Sequence, residues 1–304
     1  MISAKMPSNI ALIKYMGKND HNLPINSSLS YTLPRLFTEV TLKRSHSDQL
    51  ITQVPLKEGG RQSFIKHFQM LKSHFGINEN YDILSQNNFP AGTGLASSAS
   101  SYAALTMATW TLAKTLGEVD TSMDQLASLS RLGSGSSIRS FYSPYCLWEN
   151  DRASTVGFDW IQLDHDVLLL DTSHKKISSS EAHQRVRTSK LYRDRPKDAL
   201  MRIDALSSAF EEEDWGRLYQ ITKDEFLQMH EMFHTATPKF SYFTQDTLAI
   251  IDRCDHAIKS GAQFMLTMDA GANLHFLYPK QSPASFLKFK KNFDPALWWS
   301  KNDL

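Results

Sequence analysis

The run Pro90-Ala91-Gly92-Thr93-Gly94-Leu95-Ala96-Ser97-Ser98 is the strongest local signal in the sequence. It follows a strand-like segment at 81–87 and leads into residues 98–116, which are apolar on nearly every face and predict a buried helix ending at Gly117. Glycines let the backbone approach a ligand closely, and the N–H groups of a helix start favour a phosphate. No Lys-Ser/Thr pair ends the run, so it is not a Walker A loop. It predicts a phosphate-binding turn, with a plain Gly/Ser helix start as the alternative.

The composition describes a chain with a sizeable core and balanced charge. Hydrophobic residues make up 41% of the 304 residues, and 33 Lys+Arg against 32 Asp+Glu leave a net charge of +1. That balance argues against a nucleic-acid or membrane-surface binder, because such proteins need a field of one sign. The two cysteines are too few for a disulfide scaffold. Without a signal-peptide pattern or an apolar run of roughly 18 residues, we expect a cytoplasmic protein.

Local patterns predict a mixed α+β chain. Short β-rich runs predict strands, and stretches with one apolar face predict helices. The predicted strands are 9–15, 38–44, 48–54, 81–87, 167–170, 262–268 and 273–278. The predicted helices are 61–75, which ends at Gly76, and 98–116, 122–131, 189–212, 215–234 and 241–260. The polar segment 172–188 is the best candidate boundary, and strands, then helices, then strands favour two α+β units.

A second small-residue loop is Arg131-Leu132-Gly133-Ser134-Gly135-Ser136-Ser137-Ile138-Arg139. It leads into a short helical stretch that contains Arg139. An arginine can bind a carboxylate or a phosphate with two parallel hydrogen bonds. Taken alone, a flexible serine loop with a solvated arginine is the simpler interpretation.

Two further segments carry charged groups that could do chemistry. Asp269 comes directly after the apolar strand 262–268, where a carboxylate can act as a base, although an aspartate that caps its own turn is common. In the N-terminal run, Lys14 lies on a predicted strand and Lys18 follows Gly17, which leaves Lys18 able to reach into a cleft. The two lysines need not share a role. A strand flanked by solvated lysines is the alternative.

The string His230-Glu231-Met232-Phe233-His234 fits the H-E-x-x-H helix motif of zinc peptidases. Both histidines would face one side of the 215–234 helix, and Glu231 could serve as the base. A third ligand is required. The nearby candidates are Asp252, Asp255 and His256. Because such a string arises easily by chance, the zinc peptidase is a minor alternative.

Taken together, four segments resemble the GHMP kinase superfamily and, within it, the mevalonate diphosphate decarboxylase family. Residues 7–33 resemble the family's opening signature, and residues 87–100 resemble its phosphate loop. Residues 131–140 resemble its substrate loop, and residues 267–273 (TMDAGAN) resemble its catalytic turn. Four matches in the family's order are far more specific than any one of them.

The resemblance implies an ATP-dependent decarboxylation with Mg²⁺. ATP would phosphorylate the 3-hydroxyl of mevalonate 5-diphosphate, after which phosphate and CO₂ leave to give isopentenyl diphosphate. Asp269 would orient and deprotonate the hydroxyl, a cation such as Lys18 would keep it ionised, and Arg139 would bind the substrate carboxylate. The implied substrate contacts are Asn9, Tyr15, Met16, Gly17, Lys18, Arg61, Ser134, Gly135, Ser136, Ser137, Ile138, Arg139 and Thr188. The implied ATP contacts are Gly92, Gly94, Leu95, Ala96, Ser97 and Ser98.

For the fold, the resemblance implies a two-domain α+β GHMP kinase fold. An N-terminal βαβ-rich domain (1–172) would hold ATP, and a ferredoxin-like C-terminal domain (173–304) would complete the cleft. Family members are commonly homodimers. The alternatives within this chemistry are a phosphomevalonate decarboxylase and a mevalonate 3-kinase. A catalytically silent nucleotide-binding module is the alternative from outside it, and the presence of Asp269 and Arg139 argues against that alternative.

Overall fold

A long strand, β2, organises the first half of the chain. The computed structural model describes residues 1–52, 56–89, 97–158, 162–171 and 176–299. The strands of the first sheet are β1 (Ile2–Ile13), β2 (Ser28–Ser45), β3 (Gln49–Thr52), β4 (Asn80–Asn87), β5 (Tyr145–Glu149) and β6 (Arg152–Val156). β1 pairs antiparallel with β2 along most of its length. On the other edge of β2, β5 pairs with its first residues and β4 with its second half. β3 joins β4 in parallel, and β6 pairs with β5.

Three helices and a 3₁₀ helix cover this sheet. They are α1 (Glu58–Phe75), α2 (Ser97–Leu116), α3 (Met123–Gly133) and the 3₁₀ helix Gly135–Phe141. α1 ends at Gly76, whose φ of 68° supplies the left-handed C-cap that the sequence predicts. α2 is buried as predicted, since alanines on several of its faces let it pack closely against β1 and β2. Ser122 and Gln125 form a capping box that begins α3.

The second half builds a four-stranded antiparallel sheet with helices. Its elements are β7 (Leu163–Leu168), α4 (Ser179–Arg185), α5 (Arg195–Glu211), α6 (Trp215–His234), α7 (Thr247–Lys259), β8 (Met265–Met268), β9 (Leu274–Pro279), α8 (Ala284–Lys290) and β10 (Trp298–Trp299). The strand order is β10-β7-β9-β8. Aromatic side chains such as Phe264, Phe276 and Phe286 pack together in its core.

The mixed α+β architecture and the order of the predicted elements are confirmed. The third predicted helix of the second half, 241–260, begins only at Thr247, after an irregular segment. The domain division at 172/173 stays a prediction. Residues 172–175 lie outside the described residues, and β7, which precedes them, pairs with β9 in the second sheet. Among the described residues, no helix has the length and apolar character that a membrane span requires.

The two halves meet where β1 ends. The Thr267 hydroxyl of β8 donates a hydrogen bond to the Ala11 carbonyl of β1, with 3.2 Å between the oxygens. Helices α5 and α6 also contact β1. As a result, Lys14, which follows β1, and Asp269, which follows β8, lie close together.

Candidate active site

An ion pair between the two halves lies at the centre of the site. Lys14 follows β1 and Asp269 follows β8, and Lys14 Nζ lies 2.6 Å from Asp269 Oδ1. The Lys14 side chain is 2% exposed and the Asp269 side chain 23% exposed, so only the carboxylate can meet a ligand from solvent. The sequence predicts a cation beside Asp269, but Lys18 was the wrong lysine. Lys14 directly follows the buried strand β1, whereas the turn at Gly17 directs Lys18 elsewhere.

The surroundings keep this carboxylate ionised. Burial would raise the pKa of Asp269, but the charge of Lys14, followed by His275 and Arg139, holds that pKa below its ordinary value. Burial lowers the pKa of Lys14, and the Asp269 charge and hydrogen bond oppose that effect. An ionised acceptor therefore stands beside cations in a protected setting, where it can orient a hydroxyl group by accepting its hydrogen bond.

Arg139 completes the cationic side of the site. It is 4% exposed, and its Nε donates to Asn9 Oδ1 at 3.1 Å. Asn9 in turn donates to Ser140 Oγ at 2.9 Å and to the Ser136 carbonyl, so β1 fixes the 3₁₀ helix that carries the arginine. Arg139 Nη1 is buried and has no hydrogen-bond partner within the part of the chain that the structure describes. A buried, unpaired guanidinium nitrogen is costly, and an anionic ligand would satisfy it.

The serine loop holds its shape by internal hydrogen bonds. Ser137 Oγ donates to the Ser134 carbonyl at 2.7 Å and accepts from Ser130 Oγ at 2.6 Å. Gly135 allows Tyr15 to lie against the loop, because a Cβ at that position would be 2.5 Å from the Tyr15 hydroxyl oxygen. Ile138 is buried in the same cluster as Tyr15 and Trp148. The loop therefore packs against the segment that follows β1.

A turn after Tyr15 brings in further polar groups. Gly17 has a φ of 95° and donates its N–H to His183 Nδ1 at 3.0 Å. Lys18 Nζ donates to Asn22 Oδ1 at 2.8 Å and to Ser180 Oγ at 3.2 Å. The His183 ring lies 4.4 Å from the Tyr15 ring, and burial together with the charges of Lys18 and Arg139 lowers its pKa to about 3. His183 is thus a neutral ring beside two cations.

Sequence reasoning missed the roles of His183 and Asn22. Asn22 accepts from Lys18 and Tyr15 and donates to the carbonyls of Arg131 and Leu132, so it joins the first turn to the serine loop. An isolated asparagine or histidine in a polar stretch carries no periodic signal. The one hint that the sequence offers at residue 22 is the asparagine itself, because asparagine tolerates a positive φ, here 57°, better than most residues.

Three predicted contacts lie outside this cluster. Arg61 Nη1 donates to the Leu50 carbonyl of β3. The Met16 side chain packs in an apolar cluster with Met229, Phe233 and Ala270. Thr188 is exposed and accepts from the Thr237 N–H at 2.8 Å. Among the described residues, no hydrogen bond or ion pair joins Arg61 or Thr188 to Asp269, Arg139 or Lys18, so their substrate roles stay predictions.

The predicted phosphate turn is described only at its end. α2 begins at Ser97, one residue before the predicted start, and the Ser97 carbonyl accepts from Ser101 Oγ at 2.6 Å. Gly92, Gly94, Leu95 and Ala96 lie outside the described residues.

The histidines of the H-E-x-x-H string have other contacts. His230 is fully buried, stacks on the Phe243 ring at 4.7 Å and lies 3.2 Å from the Asp269 carbonyl oxygen through its Nε2. Burial lowers the pKa of His230 to about 3. His234 instead contacts Ser241 Oγ at 3.2 Å. Across the ranges that the structure describes, no group of three or more His, Cys, Asp or Glu side chains is arranged to hold a metal.

The fold and the site define a two-domain α+β protein of the GHMP kinase class, in which cationic groups surround an ionised carboxylate. The sequence model of the diphosphomevalonate decarboxylase-like N-terminal domain matches residues 6–158, and that of the mevalonate 5-diphosphate decarboxylase C-terminal domain matches residues 167–301. The chain belongs to the mevalonate diphosphate decarboxylase family, whose members are carboxy-lyases.

Individual relatives agree with this assignment. A diphosphomevalonate decarboxylase from Ganoderma lucidum is 31% identical over 92% of this chain and 78% of its own length. The crystal structure of a mevalonate diphosphate decarboxylase from Legionella pneumophila superimposes with a TM-score of 0.91 at 39% identity, covering 98% of this chain and 99% of that one. A structure of MDDEF in complex with MVAPP, AMPPCP and magnesium has a TM-score of 0.86 at 28% identity, with coverage of 98% and 95%. The expected family, fold class and enzyme class are confirmed.

Proposed function

We propose that this chain converts mevalonate 5-diphosphate to isopentenyl diphosphate, with ATP consumed and ADP, phosphate and CO₂ released. One observation carries the proposal: an ionised carboxylate, Asp269, is paired with Lys14 and is close enough to Arg139 for that charge to lower its pKa, and Arg139 Nη1 is buried with no hydrogen-bond partner among the described residues. Family membership identifies the reaction as an ATP-dependent decarboxylation of the mevalonate pathway.

In this mechanism Asp269 receives the proton of the 3-hydroxyl while that oxygen takes the γ-phosphoryl group of ATP. The Lys14 charge, 2.6 Å from Asp269 Oδ1, orients the carboxylate and keeps it ionised. The C–O bond to the new phosphate then breaks as the C–C bond to the carboxylate breaks, so that phosphate and CO₂ leave and the electron pair forms the alkene. Catalysis is then mainly positioning and electrostatics.

Arg139 binds the substrate carboxylate until it departs as CO₂. The diphosphate lies against the turn and the serine loop, where N–H and hydroxyl groups are concentrated. We assign it Tyr15, Gly17, Lys18, Ser134, Gly135, Ser136 and Ser137, with Asn9 holding Arg139 in place. The assignments of Met16, Arg61, Ile138 and Thr188 derive from the resemblance alone.

Magnesium enters with ATP, and its role there is to neutralise phosphate charge. Mg²⁺ takes most of its ligands from phosphate oxygens and water, so a large cluster of protein carboxylates is not required. Ser97 and Ser98 fit this complex, because they offer hydroxyl groups at the N-terminus of α2, which favours anions.

The test is a paired measurement of ADP and CO₂. Purified protein is incubated with ATP and, separately, with mevalonate 5-diphosphate, mevalonate 5-phosphate and mevalonate. We expect equal amounts of ADP and CO₂ with the diphosphate. ADP without CO₂ would identify a 3-kinase, and turnover of the monophosphate alone would identify a phosphomevalonate decarboxylase.

The matched control is Asp269→Asn, which keeps the size of the side chain and removes its charge. We expect this variant to bind substrate and to release neither product. A near-normal rate in Asp269→Asn would end the assignment of Asp269. A cytoplasmic location and a homodimer are also part of the proposal, and the homodimer is what the family resemblance implies.

A further inference from the structure

Helix α6 contacts the main chain of both partners of the central ion pair. Glu225 Oε1 accepts from the Lys14 backbone N–H at 2.8 Å. Five residues further along the same helix, His230 Nε2 lies 3.2 Å from the Asp269 backbone carbonyl oxygen. Both side chains are fully buried, and both contacts join atoms more than 35 positions apart in sequence.

A buried arginine binds the backbone carbonyl of Lys14. Arg195 of α5 donates through Nη2 to the Lys14 carbonyl at 2.7 Å and forms an ion pair with Glu225. Arg202 adds a second cation, with its Nη1 2.8 Å from Glu225 Oε2. Both Arg195 and Glu225 are 0% exposed. The N–H and the C=O of a single residue are therefore each bound by one member of a buried ion pair from the other half of the chain.

The need to give the buried Lys14 peptide groups hydrogen-bond partners does not by itself require a buried ion pair. Lys14 lies just past β1, so its buried peptide groups do need partners, but neutral side chains can supply them, and Asn26 Nδ2 already donates to the Lys14 carbonyl at 2.8 Å. Burying a carboxylate and a guanidinium costs free energy that their attraction often only offsets. Such a pair is better explained by a requirement for a fixed geometry, as when residues behind a metal or an active site hold the reacting groups.

We propose that α6, through Glu225 with Arg195 and through His230, is the positioning element that sets Lys14 against Asp269. Glu225, Arg195 and His230 are positioning residues, because they act through the main chain of the pair and not on the substrate. The inference rests on the proposed function only in that the Lys14–Asp269 pair is taken to be catalytic.

The charges around Lys14 allow a test that does not depend on stability, namely the pH dependence of kcat. Asp269 and Glu225 favour the Lys14 ammonium, and Arg139 and burial oppose it. Arg195 and Arg202 lie behind Glu225, and His230 stays neutral because burial lowers its pKa. When Glu225→Gln removes one negative charge and keeps an acceptor oxygen, the ammonium should lose its proton at lower pH. The alkaline limb of the kcat profile should then shift to lower pH.

The experiment measures kcat, KM and thermal unfolding of the full-length chain with mevalonate 5-diphosphate and ATP. Glu225→Gln should lower kcat by roughly tenfold to a hundredfold, with KM changed less than about threefold. The control is Lys223→Met, which removes the ion pair between α6 and Asp255, 2.6 Å long and away from the site. This control should change thermal unfolding without changing kcat or the pH profile.

A second pair of variants keeps the test decisive if Glu225→Gln does not fold. His230→Gln retains an N–H donor and should keep most of the rate, whereas His230→Met removes the donor and should lower kcat about tenfold. Wild-type kcat and an unshifted alkaline limb in Glu225→Gln, or equal rates in the two His230 variants, would overturn the inference. If Asp269→Asn is inactive while those results are obtained, the proposed function stands and only the role of α6 fails.

Discussion

Two lysines four positions apart take different roles around the site. Lys14 is almost wholly buried and contacts a carboxylate, whereas Lys18 contacts the neutral oxygens of Asn22 and Ser180. A buried cation that faces a carboxylate lowers the pKa of that carboxylate. A half-buried cation with neutral partners remains available to a charged ligand.

Replacing Lys14 should therefore lower kcat more than it raises KM. In Lys14→Met, burial would act on Asp269 without its main opposing charge, so the pKa of Asp269 should rise. Activity requires the ionised carboxylate, so the acid limb of the kcat profile should move to higher pH, with kcat lowered about a hundredfold or more. Lys18→Met should instead raise KM for mevalonate 5-diphosphate and leave the limb in place. Equal effects in the two variants would contradict this division.

Arg139 can be tested by separating charge from shape. Arg139→Met should slow CO₂ release by roughly a hundredfold, or about 3 kcal/mol, a loss of the size seen when one donor to a developing charge is removed. Arg139→Lys keeps the charge but loses the Nε hydrogen bond to Asn9, so it should recover only part of the rate. Rates come from CO₂ release under saturating substrate. A change in ATP affinity alone would show that Arg139 is misassigned.

The serine loop depends on the absence of a side chain at Gly135. A Cβ there would lie 2.5 Å from the Tyr15 oxygen and 2.9 Å from two of its ring carbons, so either the loop or the ring must move. We expect Gly135→Ala to cost about 1–3 kcal/mol in unfolding free energy and to raise KM for the diphosphate.

Two comparisons check the Gly135 prediction. Adding Tyr15→Phe removes the nearest atom, so the double variant should unfold closer to the wild type than Gly135→Ala does. Gly60→Ala on α1, where nothing lies within 4 Å of the new carbon, should be neutral or stabilising. Urea unfolding of the four proteins gives the result, and a stable Gly135→Ala would show that the loop tolerates the methyl group.

Elements with a strong local pattern could be predicted from sequence, and elements defined by distant pairing could not. α2 is apolar throughout, and α1 ends at a glycine, so both helices follow from local chemistry. β2 extends from Ser28 to Ser45, much longer than the predicted 38–44, because three different strands pair along it. No window of a few residues contains that information.

In the site, too, residues within a local sequence pattern could be predicted and contacts between distant parts of the chain could not. Asp269 and Arg139 could be predicted because each lies in a short, distinctive string. The partnership of Lys14 with Asp269 could not, since it joins residues 255 positions apart and depends on how β1 and β8 meet. The strand alternation that places Lys14 says which face it takes but not what the other half of the chain presents there.

Acid should destabilise the whole molecule through its buried histidines. Burial lowers the pKa of His67 to about 4 and of His183 and His230 to about 3, and it lowers that of His165 as well. In the unfolded chain a histidine takes up its proton near pH 6.5. The unfolded state therefore binds more protons than the folded state below that pH, and stability falls as pH drops from about 6.5 towards the folded-state values.

His67 of α1 allows this effect to be tested at one residue, because burial alone lowers its pKa and its ring packs against Tyr102 of α2. Between pH 7.5 and pH 5, the unfolding free energy of His67→Leu should fall by about 2 kcal/mol less than that of the wild type. His74→Leu, exposed on the same helix, is the control and should follow the wild type. Asp269 and Glu225, whose folded-state pKa values are lowered, add their losses only below about pH 4.3, where unfolded carboxylates take up protons. Urea titrations kept at pH 5 and above thus report the histidines, and identical pH slopes in the wild type and His67→Leu would show that this buried ring is not charged on unfolding.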